Sequence, residues 1–158
     1  MLERPPARPT GPIDDAAGIV PDVAEAALDT RLRNYQAETG VAIVVATVPT
    51  LRGRTIEDEA YRLFNSWGIG DARTDRGLLI LIAPNERRVR IEVGCGMEKA
   101  VSNRDAKDVI EAAMIPRLAT GEYQSAVETG LDALTAKVAQ AKEFGPISDK
   151  CLQQAKAA

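Results

Sequence analysis

Two short apolar runs constrain this chain more than anything else in it: VAIVVATV from Val41 to Val48 and LLILIA from Leu78 to Ala83. Both are rich in Val, Ile and Leu with almost no polar interruption, so both faces of each strand must be covered. Neither approaches the roughly 20 residues that cross a bilayer as a helix. Strands of this kind sit inside a sheet with helices above and below it. Aromatics are only 4% of the residues, so the core must be built from Ala, Val, Ile and Leu.

The flanking segments supply those helices. Pro21 suits a helix start, where its missing N–H costs nothing, and Asp22 and Glu25 face the positive end of the helix dipole. Leu28, Leu32 and Tyr35 then share one helical face, and Gly40 is a natural stop. Thr55 and Asp58 form a weak capping box ahead of a second helix carrying Ile56, Ala60, Leu63, Phe64 and Trp67. Pro84–Asn85–Glu86 is turn chemistry, and after it Val89, Ile91 and Val93 alternate with Arg88, Arg90 and Glu92. That spacing predicts an antiparallel hairpin, because the link is too short for a crossover. Ser102 or Asn103 starts a third helix that Pro116 should end or kink. Val127, Leu131, Leu134 and Val138 mark a last helix after Gly121.

The order α-β-α-β-β-α-α predicts an α/β, three-layer α/β/α sandwich with a small, mixed, mostly parallel sheet and one antiparallel hairpin. Residues 1–13 read as a flexible Pro/Arg-rich arm, 14–143 as the folded domain, and 144–158 as a tail. The net charge of −3 gives no nucleic-acid footprint. Neither a transmembrane segment nor a basic start followed by an apolar core is present. Two cysteines, Cys95 and Cys151, read as small residues rather than a disulfide framework. The chain has no histidine. That removes Ser-His and Cys-His nucleophile systems and nearly all zinc and iron sites, leaving carboxylates, hydroxyls, Arg, Lys and a hard cation for any chemistry.

Acids then become the candidates. Asp71 and Asp75 precede the second apolar strand. An EF-hand fails there, since Arg73, Arg76 and Ile82 occupy positions that need a ligand, a glycine and a bidentate glutamate. Gly94–Cys95–Gly96 begins like a dinucleotide fingerprint, but Lys99 replaces the third glycine and the strand leaves a hairpin. Those glycines read instead as a tight turn aiming Glu98 at the loop that holds Asp75. Two such carboxylates repel unless protonated or bridged, and Ca²⁺ suits them, with Asn103 as a further oxygen donor. The bland alternative is a solvated polar loop. For Arg76, Arg87, Arg88 and Arg90, surface ion pairing is favoured over holding a phosphate.

These same residues resemble the TPM-domain family, which includes thylakoid-lumen proteins linked to photosystem II repair and many bacterial envelope proteins. The matching pieces are Asp15, Thr39–Gly40, Trp67–Gly68–Ile69–Gly70, Asp75–Arg76–Gly77–Leu78–Leu79, Arg90–Ile91–Glu92–Val93–Gly94, Gly96–Met97–Glu98 and Gly121–Glu122–Tyr123. The resemblance runs from about Asp15 to Leu134. It implies an α/β/α sandwich that is exported, periplasmic or tethered to a membrane by segments outside the domain. It further implies Ca²⁺ binding in some members and an acid phosphatase activity proposed for plant ones. By position it makes Asp15, Asp75 and Glu98 site candidates. Three departures stand out: Cys95 where an aromatic is usual, Lys99 where a glycine is common, and Asn103 where an aspartate is usual. The last removes a negative charge from any metal site.

The expectation is therefore a non-catalytic envelope accessory module that binds an unidentified, membrane-associated protein. Weak Ca²⁺ binding would draw on Asp15, Asp71, Asp75, Glu98 and Asn103. The alternative is a metal-dependent acid phosphatase acting on phosphate monoesters through Asp75 and Glu98.

Overall fold

The computed structural model describes residues 6–70 and 74–141. The predicted three-layer sandwich is what these residues form. A four-stranded sheet runs in the order β1 (Ile13–Asp15), β2 (Ala42–Thr47), β3 (Gly77–Ala83) and β4 (Arg88–Val93). β1, β2 and β3 are parallel, and β4 returns antiparallel to β3 with Leu78 opposite Val93. Every residue of β3 is buried, as a strand covered on both faces requires.

Alternation along β3 divides the core in two. Leu78, Ile80 and Ile82 face Leu28 and Leu32 of α1 (Asp22–Thr39) and Val127, Leu131 and Leu134 of α5 (Tyr123–Gln140). Leu79 and Leu81 face Ile56, Ala60, Leu63 and Trp67 of α2 (Ile56–Trp67). Thus α1 and α2 cover opposite faces, although both connections step the same way along the sheet. Only one of the two can have the right-handed crossover that such units almost always take. Gly40 (φ 75°) and Gly68 (φ 62°) close α1 and α2 in the left-handed conformation that favours glycine.

The third predicted helix is in three parts. α3 (Asn103–Asp108) is capped by Ser102, whose hydroxyl accepts from Asp105 N–H while the Asp105 carboxylate accepts from Ser102 N–H. A π-helical turn, Val109–Met114, follows, and then α4 (Ile115–Ala119). Pro116 explains the wide turn. It has no N–H to return to the carbonyl four residues back, and Ile115 N–H reaches Ile110 C=O, five residues back, instead.

β1 was not in the sequence reading, which placed Ile13 in the arm. Residues just before it are fastened to the domain. Val45 N–H donates to Pro12 C=O (2.8 Å), the Trp67 indole N–H to Pro6 C=O (2.8 Å), and the Arg33 guanidinium to Thr10 C=O (3.2 Å).

Candidate functional site

The sequence candidates fall at two ends of the sheet. Asp15 pairs in register with Thr47 at the carboxyl end of β2, whereas Gly77, two residues after Asp75, pairs with Ala42 at its amino end. Five residues of strand separate those rungs, roughly 16 Å at strand rise. Asp71 lies outside the described residues.

At the carboxyl end, Asp15 is fully engaged with its own neighbourhood. Its Oδ1 accepts from the buried Thr47 hydroxyl (2.6 Å) and from Ile19 N–H (3.1 Å), and its Oδ2 accepts from Val20 N–H (2.8 Å). Thr47 in turn accepts from Ala17 N–H. The carboxylate therefore folds the loop that carries the chain from β1 into α1. Neighbouring Asp14 has its pKa raised, first by burial and then by the charge of Asp15.

At the amino end, glycines let backbone meet backbone. Asp75 takes a left-handed conformation (φ 48°), its Oδ2 accepts from Cys95 N–H (2.9 Å), and its carbonyl accepts from Gly96 N–H (3.1 Å). A Cβ on Gly94 would run into the Asp75 carbonyl oxygen, and one on Gly96 into the Thr74 carbonyl oxygen. On the other side, a Cβ on Gly77 would lie 2.9 Å from Gly70 N and from Ile69 C. Gly70, Gly77, Gly94 and Gly96 thus form one close-packed knot around Asp75. Burial raises the Asp75 pKa, and the Cys95 N–H bond opposes that shift.

The hairpin places Asp75 beside the turn that follows β4, as its geometry predicts. Glu98 is exposed just beyond the 3₁₀ turn Cys95–Met97, and Asn103 is exposed at the start of α3. Among the described residues, no three His, Cys, Asp or Glu side chains stand close enough to hold a metal ion. The set named for Ca²⁺ is therefore not assembled as one cage by the described residues. Asp15 is at the far end, and Asp75 has one oxygen committed to the backbone. Cys95 is disulfide-bonded, so the expectation that it is merely a small residue does not hold.

Sequence reasoning missed two features. Glu59 of α2, only 6% exposed, is clamped between Arg62 (2.9 Å) and Arg54 (3.4 Å). Of the four arginines read as surface groups, Arg90 does pair, with Glu92 at 3.3 Å. The second is a cavity of about 560 Å³ at the amino end. Its walls are residues 8–12, Arg33 and Gln36 of α1, Ala42–Val44 of β2, and Trp67–Gly70. Pro12, which cannot donate to a ladder, was the one signal for it in the sequence.

A model of the TPM domain matches residues 13–137, and the chain belongs to that family. Solved structures resemble it over most of their length. The N-terminal domain of a protein from P. gingivalis is 27% identical, with a TM-score of 0.76, over 87% of this chain and 88% of that one. The BA42 protein from the psychrophilic bacterium Bizionia argentinensis is 17% identical, with a TM-score of 0.67, over 84% and 88%. The N-terminal domain of the cg2496 protein from Corynebacterium glutamicum is 18% identical, with a TM-score of 0.61, over 94% and 90%. The last two likenesses speak to the fold alone. No curated protein matches the chain.

Proposed function

We propose that this TPM domain is a non-catalytic accessory module of the cell envelope that binds a membrane-associated protein. The observation that carries this reading is what the two framing carboxylates do. Asp15 gives both oxygens, and Asp75 one, to groups of the protein itself. Such carboxylates are fasteners, and with no histidine in the chain any activation of a nucleophile would fall to the remaining carboxylate oxygens or a lysine. Two of the structural relatives are N-terminal domains of larger proteins, which suits a module. A disulfide at Cys95 suits an oxidising compartment. Ca²⁺ enters only as a weak ligand of the amino end, through the second oxygen of Asp75 with Glu98 and Asn103.

One observation favours the acid phosphatase alternative: burial raises the pKa of Asp75, as an acid catalyst needs. Hydrolysis of an aryl phosphate at acid pH tests the choice. The module reading predicts no turnover above a heat-treated control. Turnover that disappears in Asp75→Asn and Glu98→Gln would establish the enzyme instead. Melting with millimolar Ca²⁺ and with chelator tests the ion, since a ligand of the folded state must raise the midpoint. Asn103→Asp should enlarge that rise.

A further inference from the structure

The cavity at the amino end is the gap left where β1 stops short of the full length of β2. β1 pairs only with Val45–Thr47, while β2 begins three residues earlier at Ala42. Ala42 N–H donates to Arg76 C=O on the β3 side, and Val45 N–H donates to Pro12 C=O on the β1 side. Backbone groups alternate sides along a strand, so the N–H and C=O of Ile43 point toward β1. The next rung on that side would need an N–H from Pro12, which has none. Thr10 C=O, which could have taken the Ile43 N–H, is instead approached by Arg33. Ile43 is only 2% exposed, and its two inward backbone groups have no partner among the described residues. Buried backbone groups are almost always paired, so an unpaired set facing a cavity marks a place where hydrogen bonds are on offer.

The rest of the cavity states what should take them. Ile43 of β2, Trp67 and Ile69, and Arg33 and Gln36 of α1 all line it. Its charged lining residues are Arg8 and Arg33, both cationic. Arg33 is paired with Asp29 (2.8 Å), whereas Arg8 has no carboxylate partner among the described residues. A volume of about 560 Å³ falls within the range of small-ligand clefts, roughly 300–1,000 Å³. We infer that this slot binds the carboxyl-terminal residues of a partner protein as a short added strand. One extended residue exchanges both backbone hydrogen bonds with Ile43, and the terminal carboxylate meets Arg8. The inference rests on the partner-binding reading above and assigns that binding to the amino-end slot.

The probe is N-acetyl-tetravaline with a free carboxylate, titrated into the ¹⁵N-labelled full chain, with its C-terminal amide as control. The Ile43 amide and Trp67 indole signals should move together and saturate. The amide control and Arg8→Gln should each weaken binding roughly tenfold, the loss of one charge-assisted contact. Pro12→Ala restores a donor opposite Ile43 C=O and should reduce binding while leaving the melting temperature equal or higher. That second variant separates a closed slot from a misfolded domain. Equal binding of acid and amide, or shifts that avoid Ile43, would overturn the inference while leaving partner binding elsewhere intact. No movement of Ile43 up to about 20 mM peptide, well beyond the millimolar range of weak binding, would also overturn it. Aryl phosphate turnover that depends on Asp75 would overturn the module reading and leave the peptide result to stand by itself.

Discussion

The two ends of the sheet use the same chemical group for the same purpose by different means. At the carboxyl end Asp15 fastens a loop with side-chain oxygens, drawing three donors to one carboxylate. At the amino end Asp75 fastens a turn mainly because four glycines let main chains touch, with its carboxylate adding one bond. Removing side-chain atoms should therefore hurt the first end, and adding them should hurt the second. An acid that is prominent in the sequence need not face a ligand. Its oxygens go first to whatever backbone N–H groups the fold leaves over.

Mutations can break that contrast in graded steps. The largest effect should come from Gly96→Ala, whose Cβ would collide with the Thr74 carbonyl oxygen. Neither partner is a flexible side chain, so we expect a loss of about 3 kcal/mol or more in denaturant melts. Asp15→Ala comes next. It strips three donors of their acceptor and should cost about 2–3 kcal/mol. Asp75→Asn should be nearly silent in stability, within about 1 kcal/mol, because an amide oxygen still accepts from Cys95 N–H.

That third variant should change the pH dependence instead. Burial raises the folded-state pKa of Asp75. A carboxyl of this kind contributes stability that is fully present below its unfolded pKa, near about 3.9, and is lost as pH rises through the folded value. Melts between acid and neutral pH should show a shallower decline for Asp75→Asn than for the native chain. Asp105 runs the other way. The Ser102 backbone bond lowers its pKa, so its contribution is present above the unfolded value and fades as pH falls through the folded one. The smallest effect should be that of Glu98→Gln, less than about 1 kcal/mol, since the residue is exposed.

Much of this is legible in the amino-acid sequence. The run Leu78–Ala83 had to be a strand covered on both faces, and the turn at Pro84–Glu86 made β3 and β4 antiparallel neighbours. That alone brought Asp75 to the turn at Gly94–Gly96. β1 escaped notice because it is three residues long and two of them are aspartates. What makes it a strand is the edge of β2 and the hydroxyl of Thr47, neither of which lies near it in sequence. Asp15 could not be assigned an end, because that depends on how a crossover connection places its strand. The Ile43 slot depends on where β1 stops, and only Pro12 hinted at that.

A double-mutant cycle tests the central claim most directly. Unfolding free energies of the native chain, Asp15→Asn, Asp75→Asn and the double variant would be measured with and without millimolar Ca²⁺. If the two carboxylates are separate fasteners at opposite ends, their effects add within about 0.5 kcal/mol in both conditions. A coupling above about 1 kcal/mol that appears only with Ca²⁺ would mean that the two acids share an ion, and would contradict the account.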